Sequence, residues 1–279
     1  MKIDDFASVF RSAVKPTFTY KPLDLQTAVF VTDLDSEGAH ALATQVRALL
    51  SHLDAGEHLG LHTLSAPEDW QDLPGLLELL EERKPQLIIT HRHLLGQHKD
   101  LPHTLGSVVD TLTQHLEAPV LLLPLGVPLR EADRVMVVTD HLTGDDPLVN
   151  WAIHLTPDDG TLMLCHIEDQ DTFERYAEVL GRMTGVPTDE VVPRMREKLL
   201  GMPRDYILAV QREMKEQGIH ETVLPLVQLG QPLALYQELV QQHDARLLVV
   251  NTKDPHQRAM ESLSYALAVE LRSLPLLLL

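Results

Sequence analysis

An aspartate placed directly after an apolar run, and a glycine loop that leads into a helix, are the parts of this chain suited to holding an anion. Asp33 follows the strand-like segment Ala28–Thr32. Further on, Leu87–Thr90 is a short apolar run of buried-strand length, and Thr104–Glu117 carries Val109, Leu112 and Leu116 at helical spacing. A polar loop joins the two and ends in Gly106-Ser107, and Pro119–Pro124 follows as another strand. A strand, a glycine loop and a helix start form an anion site by construction. The first-turn N–H groups have no partner within the helix, and the macrodipole adds partial positive charge there.

Other chemistry can be weighed from the same residues. Asp33 and Asp35 resemble the aspartyl-phosphate loop of haloacid dehalogenase-type phosphatases, where one carboxylate attacks phosphate and the next acts as acid and base. Ser36-Glu37 departs from the usual residues after that pair, and the later TDHLTGDD has no such pair. His91, His93, His98 and His103 share one loop region, but their spacing fits no compact zinc motif; a solvated loop is the simpler expectation, and beside Arg92 and Lys99 these side chains could also meet phosphate. Cys165 sits inside the apolar TLMLCHI and reads as a buried, inert thiol. No catalytic residue and no metal ligand is assigned.

The elements that must position these residues alternate between strand and helix. Ala28–Thr32, His58–Leu64 and Leu87–Thr90 read as strands, and Glu37–Leu53 and Asp72–Lys84 as helices. Such alternation predicts a parallel sheet covered on both faces. After Pro124 the pattern restarts: Arg134–Thr139 leads to Asp140 as the first strand leads to Asp33, and Thr161–Ile167 matches the second strand. Arg246–Val250, a helix and a terminal LPLLLL parallel the stretch from Leu87 to Pro124. A repeat this long is a domain duplication. We read residues 1–24 as an N-terminal extension lying on a domain surface, 25–130 as a first domain and 131–279 as a second. Phe6, Val9, Phe10 and Val14 form an apolar stripe within the extension. The second copy holds extra sequence, read as helices over Asp171–Leu180, Asp189–Leu200 and Arg204–Gln217 and a strand over Glu221–Gln228, with Pro203 in a first-turn position.

Composition narrows the partners. The net charge is −18 and the pI about 5.1, which argues against nucleic acid or an anionic membrane. One cysteine cannot form an internal disulfide and fits a reducing cytoplasm. The first residues lack the apolar core of a signal peptide, and no apolar run reaches the roughly 20 residues of a membrane span.

Gly96, nine residues, then Gly106-Ser107 resembles the end of the universal stress protein nucleotide loop, G-x2-G-x9-G-[S/T], with His93 standing in place of its first glycine. The phrase GSVVDTL followed by APVLLLP strengthens the resemblance. It implies an α/β fold of two tandem open parallel-sheet domains of the universal stress protein (adenine nucleotide alpha-hydrolase-like) type. Strand order would be 3-2-1-4-5 in the second domain, with the first trimmed of an edge strand. The implied function is a non-catalytic binding or regulatory module in stress response, with ATP as candidate cofactor. By this resemblance Asp33, Leu64, His93, Gly96, Gly106 and Ser107 would form the nucleotide site, with His62-Thr63-Leu64 beside the base. The second loop, Asn251–Ser264, contains no glycine, and Ser262-Leu263 stand where Gly106-Ser107 stand in the first. Its Asp254 and Glu261 oppose a polyphosphate, which Lys253 and Arg258 offset only loosely, so about one nucleotide per chain is expected, in the first half. Asp140 then reads as a strand-end turn residue. The apolar last strands, Val120–Leu123 and Leu276–Leu279, would pair with each other within the chain, leaving a homodimer open; a ligand-free scaffold and a metal-dependent phosphatase using Asp33 are the alternatives.

Overall fold

The computed structural model describes residues 16–54, 59–96, 104–139, 142–184, 188–252 and 262–279. The stripe from Phe6 to Val14, His98, Lys99, His103, Asp140 and the loop residues from Lys253 to Glu261 lie outside these.

Four strands build the first half: β1 (Thr27–Thr32), β2 (Gly60–Ser65), β3 (Leu87–His91) and β4 (Val120–Leu123). Helices α1 (Ser36–Leu49), α2 (Leu73–Arg83) and α3 (Ser107–His115) connect them. The second half holds β5 (Arg134–Thr139), α4 (Asp146–Leu155), β6 (Thr161–Asp169), α5 (Gln170–Thr184) and α6 (Thr188–Glu216). It continues through β7 (Thr222–Gly230), α7 (Pro232–Gln242), β8 (Leu247–Val250), α8 (Ser262–Glu270) and β9 (Leu276–Leu278). Among the described residues all strands lie in one nine-stranded sheet of order β2-β1-β3-β4-β9-β8-β5-β6-β7. Each half is internally parallel, and the halves meet where β4 pairs antiparallel with β9 in the register Val120↔Leu278, Leu121↔Leu277. The second half therefore has order 3-2-1-4-5, and the first is the same unit without its edge strand.

The central strands read as unbroken apolar runs because both faces are covered. Alternate residues point to two cores. Val29, Val31, Ile88, Val120 and Leu122 face α2, α3, α7 and α8, whereas Phe30, Ile89 and Leu121 face α1, α4 and α6. Both cores run across the β4–β9 seam. Proline marks the edge: Pro225 in β7 lacks a ladder donor, which only an outermost strand tolerates.

Two helices, α4 and α7, go unread in the sequence. Another two expected helices, Asp189–Leu200 and Arg204–Gln217, are one. α6 runs from Thr188 to Glu216 through both Pro193 and Pro203, so Pro203 sits in a helix interior and not in a first turn. A proline there costs about 3 kcal/mol. The apolar face persists on the far side, where Tyr206, Ile207, Val210 and Met214 are buried against the sheet and outweigh that cost.

The segment before β1 crosses to the second half. Thr19 and Lys21 donate backbone N–H groups to Asp146 Oδ2 and Asn150 Oδ1 of α4, and Leu23 N–H donates to His154 Nε2 at 2.8 Å. Phe18 is buried edge-on against Tyr206. Among the described residues no helix is long and apolar enough to cross a membrane.

Candidate functional site

The chain leaves β1 outward to β2 and returns to β3 on the other side, so the carboxyl ends of β1 and β3 flank a topological switch point. Ligands of open α/β sheets bind in that crevice. Asp33 lies there, its side chain 18% exposed. The structure shows its carboxylate engaged within the protein. Oδ2 accepts the N–H of Leu95 at 2.7 Å, and Oδ1 lies 3.2 Å from His91 Nε2.

His91 is buried, not part of a solvated loop, because it ends the fully buried strand β3. Its Nδ1 faces the Arg92 carbonyl at 3.1 Å, while Nε2 faces Asp33 and, at 3.1 Å, Thr32 Oγ1. Acceptors thus stand at both ring nitrogens. Arg92 is also buried and turned away from the loop. It donates to the carbonyl of Leu271, just past the carboxyl end of α8, at 3.0 Å. Burial, then the neighbouring Arg272, lower its pKa to about 10. This corrects its expected place among groups free to meet phosphate: the unpaired carbonyls at the end of α8 attract it more directly.

Three residues at the start of the loop are left-handed. His93, Leu95 and Gly96 have φ of 58°, 61° and 64°, and Leu94–Gly96 forms one 3-10 turn closed by Gly96 N–H on the His93 carbonyl. His93 therefore occupies a left-handed conformation natural to glycine, at a cost of about 1–2 kcal/mol. Gly106 caps α3 with φ 97° and ψ 146°. A Cβ on Gly106 would lie 3.2 Å from His93 Cα and 3.3 Å from His93 N. Gly106 is thus required for packing against the loop backbone, a role distinct from admitting phosphate.

Ser107 begins α3, and Asp110 stands in its first turn. Burial holds the Asp110 carboxyl above the usual carboxylate range. Leu64 is buried in the core, and its carbonyl accepts the Trp70 indole N–H, whereas His62 and Thr63 are exposed. The structure therefore gathers Asp33, His93, Gly96, Gly106 and Ser107 around one loop and keeps the Leu64 side chain in the core beneath. Asp35 caps α1 by accepting the Gly38 N–H, so it is already occupied for any acid–base role.

At the equivalent place of the second half the described side chains bond to one another. Asn251, after β8, donates to Asp145 Oδ2 at 3.1 Å, and Ser264 Oγ donates to the Asn251 carbonyl. Among the described residues no cluster of three His, Cys, Asp or Glu side chains could hold a metal ion. The Asp33–Leu95 bond, the Arg92–Leu271 bond and the Gly106–His93 packing were not legible in sequence. The one available signal was the histidine at a glycine position.

No family model matches the chain, and no curated protein matches it. Solved structures do. A functionally unknown protein from Pseudomonas aeruginosa PAO1 is 14% identical with a TM-score of 0.52, the match covering 92% of both chains. A putative universal stress protein from Pseudomonas aeruginosa UCBPP-PA14 is also 14% identical at 0.52, covering 92% of this chain and 93% of that one. The chain thus has the fold of universal stress protein structures, two parallel-sheet units in tandem.

Proposed function

We propose that this protein is a non-catalytic binding and regulatory module of the universal stress protein type, and that its first half takes an adenine nucleotide. The observation that carries the reading is the glycine-started helix α3 facing the switch point between β1 and β3. Gly106 and Ser107 would hold phosphate through backbone N–H groups, and Gly96, exposed at the loop, allows close approach. Asp33 would hold the ribose or base. To do so it exchanges the Leu95 N–H for the ligand, so binding remodels the Leu94–Gly96 turn. That exchange couples ligand occupancy to loop conformation, which is what a regulatory module requires.

The experiment is mass spectrometry of small molecules released from purified protein, followed by calorimetric titration with ATP. The expected result is about one ATP per chain, weakened in Asp33→Ala. A specific observation favours a second reading, a ligand-free scaffold: Asp33 is already satisfied within the loop, and Asp110 places a carboxyl in the first turn of α3. Absence of both released nucleotide and titration heat would select that reading.

A further inference from the structure

A cleft of about 330 Å³ opens where the segment before β1 crosses the second half, between the end of α4 and the start of β7. It shares no residue with the loop around Asp33. Its volume is at the lower end of the range for small-molecule sites. Part of the wall is apolar or aromatic, including Leu25, Leu53, Trp151 and Ile219. Tyr20 also lines it, stacked on His154 with ring centroids 5.6 Å apart.

The polar lining is mixed: Tyr20, His52, His154, Thr156 and His220 stand beside two carboxylates. Asp158, which is exposed, and Glu221 are its carboxylates, and among the described residues no lysine or arginine lines it. Glu221 Oε2 is buried and has no hydrogen-bond partner among the described residues. A buried acceptor left unpaired costs about 1–3 kcal/mol, so a donor brought by a ligand recovers that energy. The cleft's histidines do not supply one. His154 Nε2 accepts the Leu23 N–H at 2.8 Å, which fixes it as the unprotonated nitrogen. His52 Nε2 donates to the His154 carbonyl at 3.2 Å. Burial, the leading cause for both rings, lowers their affinity for protons and so favours their neutral forms. His220 is exposed at the rim. Burial, and to a lesser degree Asp158, raise the Glu221 pKa, while its own backbone N–H and the ring and backbone N–H of His220 partly offset this. A cation would relieve both the desolvation and the repulsion.

We infer that this cleft is a binding site for a small organic cation, an ammonium or guanidinium head carried on an apolar body. The head pairs with Glu221 and Asp158, and the body lies against Trp151 and the leucines.

The test is calorimetry at pH 7.5 with three probes of one shape: 2-phenylethylamine, 2-phenylethanol and phenylacetate. The amine is expected to bind at least tenfold more tightly than the alcohol, and phenylacetate to give no heat. Glu221→Gln, with Asp158→Asn as a second variant, should bring the amine to within about threefold of the alcohol while circular dichroism shows an intact fold. The inference is overturned if the amine gives no heat at millimolar concentration, if the three probes bind alike, or if folded Glu221→Gln keeps the preference. ATP titration of the same variants should be unchanged, which separates this site from the nucleotide reading.

Discussion

Gly106→Ala should destabilise the protein through two separable effects. Gly106 has φ 97° and ψ 146°, a region that side-chain-bearing residues enter at a cost of roughly 1–3 kcal/mol. The added Cβ would also lie 3.2 and 3.3 Å from His93 Cα and N. These are backbone atoms held by the His93 N–H on the Leu105 carbonyl, so they cannot swing away. Overpacking of this kind adds at least about 1 kcal/mol. The sum is about 2–4 kcal/mol, or a melting temperature lower by about 5–15 °C. Gly144 supplies the internal control: its φ is 90°, and an added Cβ meets nothing within 4 Å. Gly144→Ala should therefore show backbone strain alone and lose less. Thermal melts by circular dichroism of parent, both variants and Gly106→Ala/His93→Gly decide it. The double variant should gain no relief, because the contact is to backbone. Gly106→Ala melting at or above Gly144→Ala would refute the reasoning.

His93→Gly should change the melting temperature by no more than about 2 °C, since relief of left-handed strain is offset by greater freedom of the unfolded chain. It should tighten ATP binding in calorimetry, since it restores glycine beside Gly106; unchanged affinity would count against the loop as the site. Tyr206→Phe removes the hydroxyl that donates to Asp146 Oδ1 at 2.7 Å and should cost about 1–2 kcal/mol in urea unfolding. His52 and His154 both have folded pKa values lowered below 6.5 by burial. The unfolded chain then binds more protons, so their contribution to stability is full above 6.5 and is lost as pH falls through and below it. The parent should therefore lose more melting temperature between pH 7.5 and 5.5 than His52→Gln/His154→Gln, and parallel curves would contradict this.

The central strands were readable because buried parallel strands are continuous apolar runs, and Val29, Ile88, Val135 and Leu248 all sit in such runs, whereas their order came from the family resemblance. The long helix α6 was not, because Pro203 marks a boundary in local terms and only burial of Tyr206 through Met214 against the sheet overrides it. At the site, the position of Asp33 at a strand end and the resemblance of the Gly96–Gly106 loop pointed to one place in the fold. The sequence could not show that Asp33 turns to Leu95, because that bond depends on left-handed backbone at His93 and Leu95. Nor could it show Arg92 reaching Leu271, a contact between residues 179 apart in sequence. The crossing of Thr19–Leu23 over α4 rests on Asn150 and His154, which read as ordinary helix residues until their partners are in place.

The most direct test of nucleotide binding in the first half is amide hydrogen exchange by mass spectrometry with and without magnesium ATP. Binding as proposed slows exchange in peptides spanning the Leu94–Gly96 turn and the start of α3 at Ser107–Asp110, and leaves β5–β9 unchanged. No change at α3, or protection confined to the second half, would contradict it.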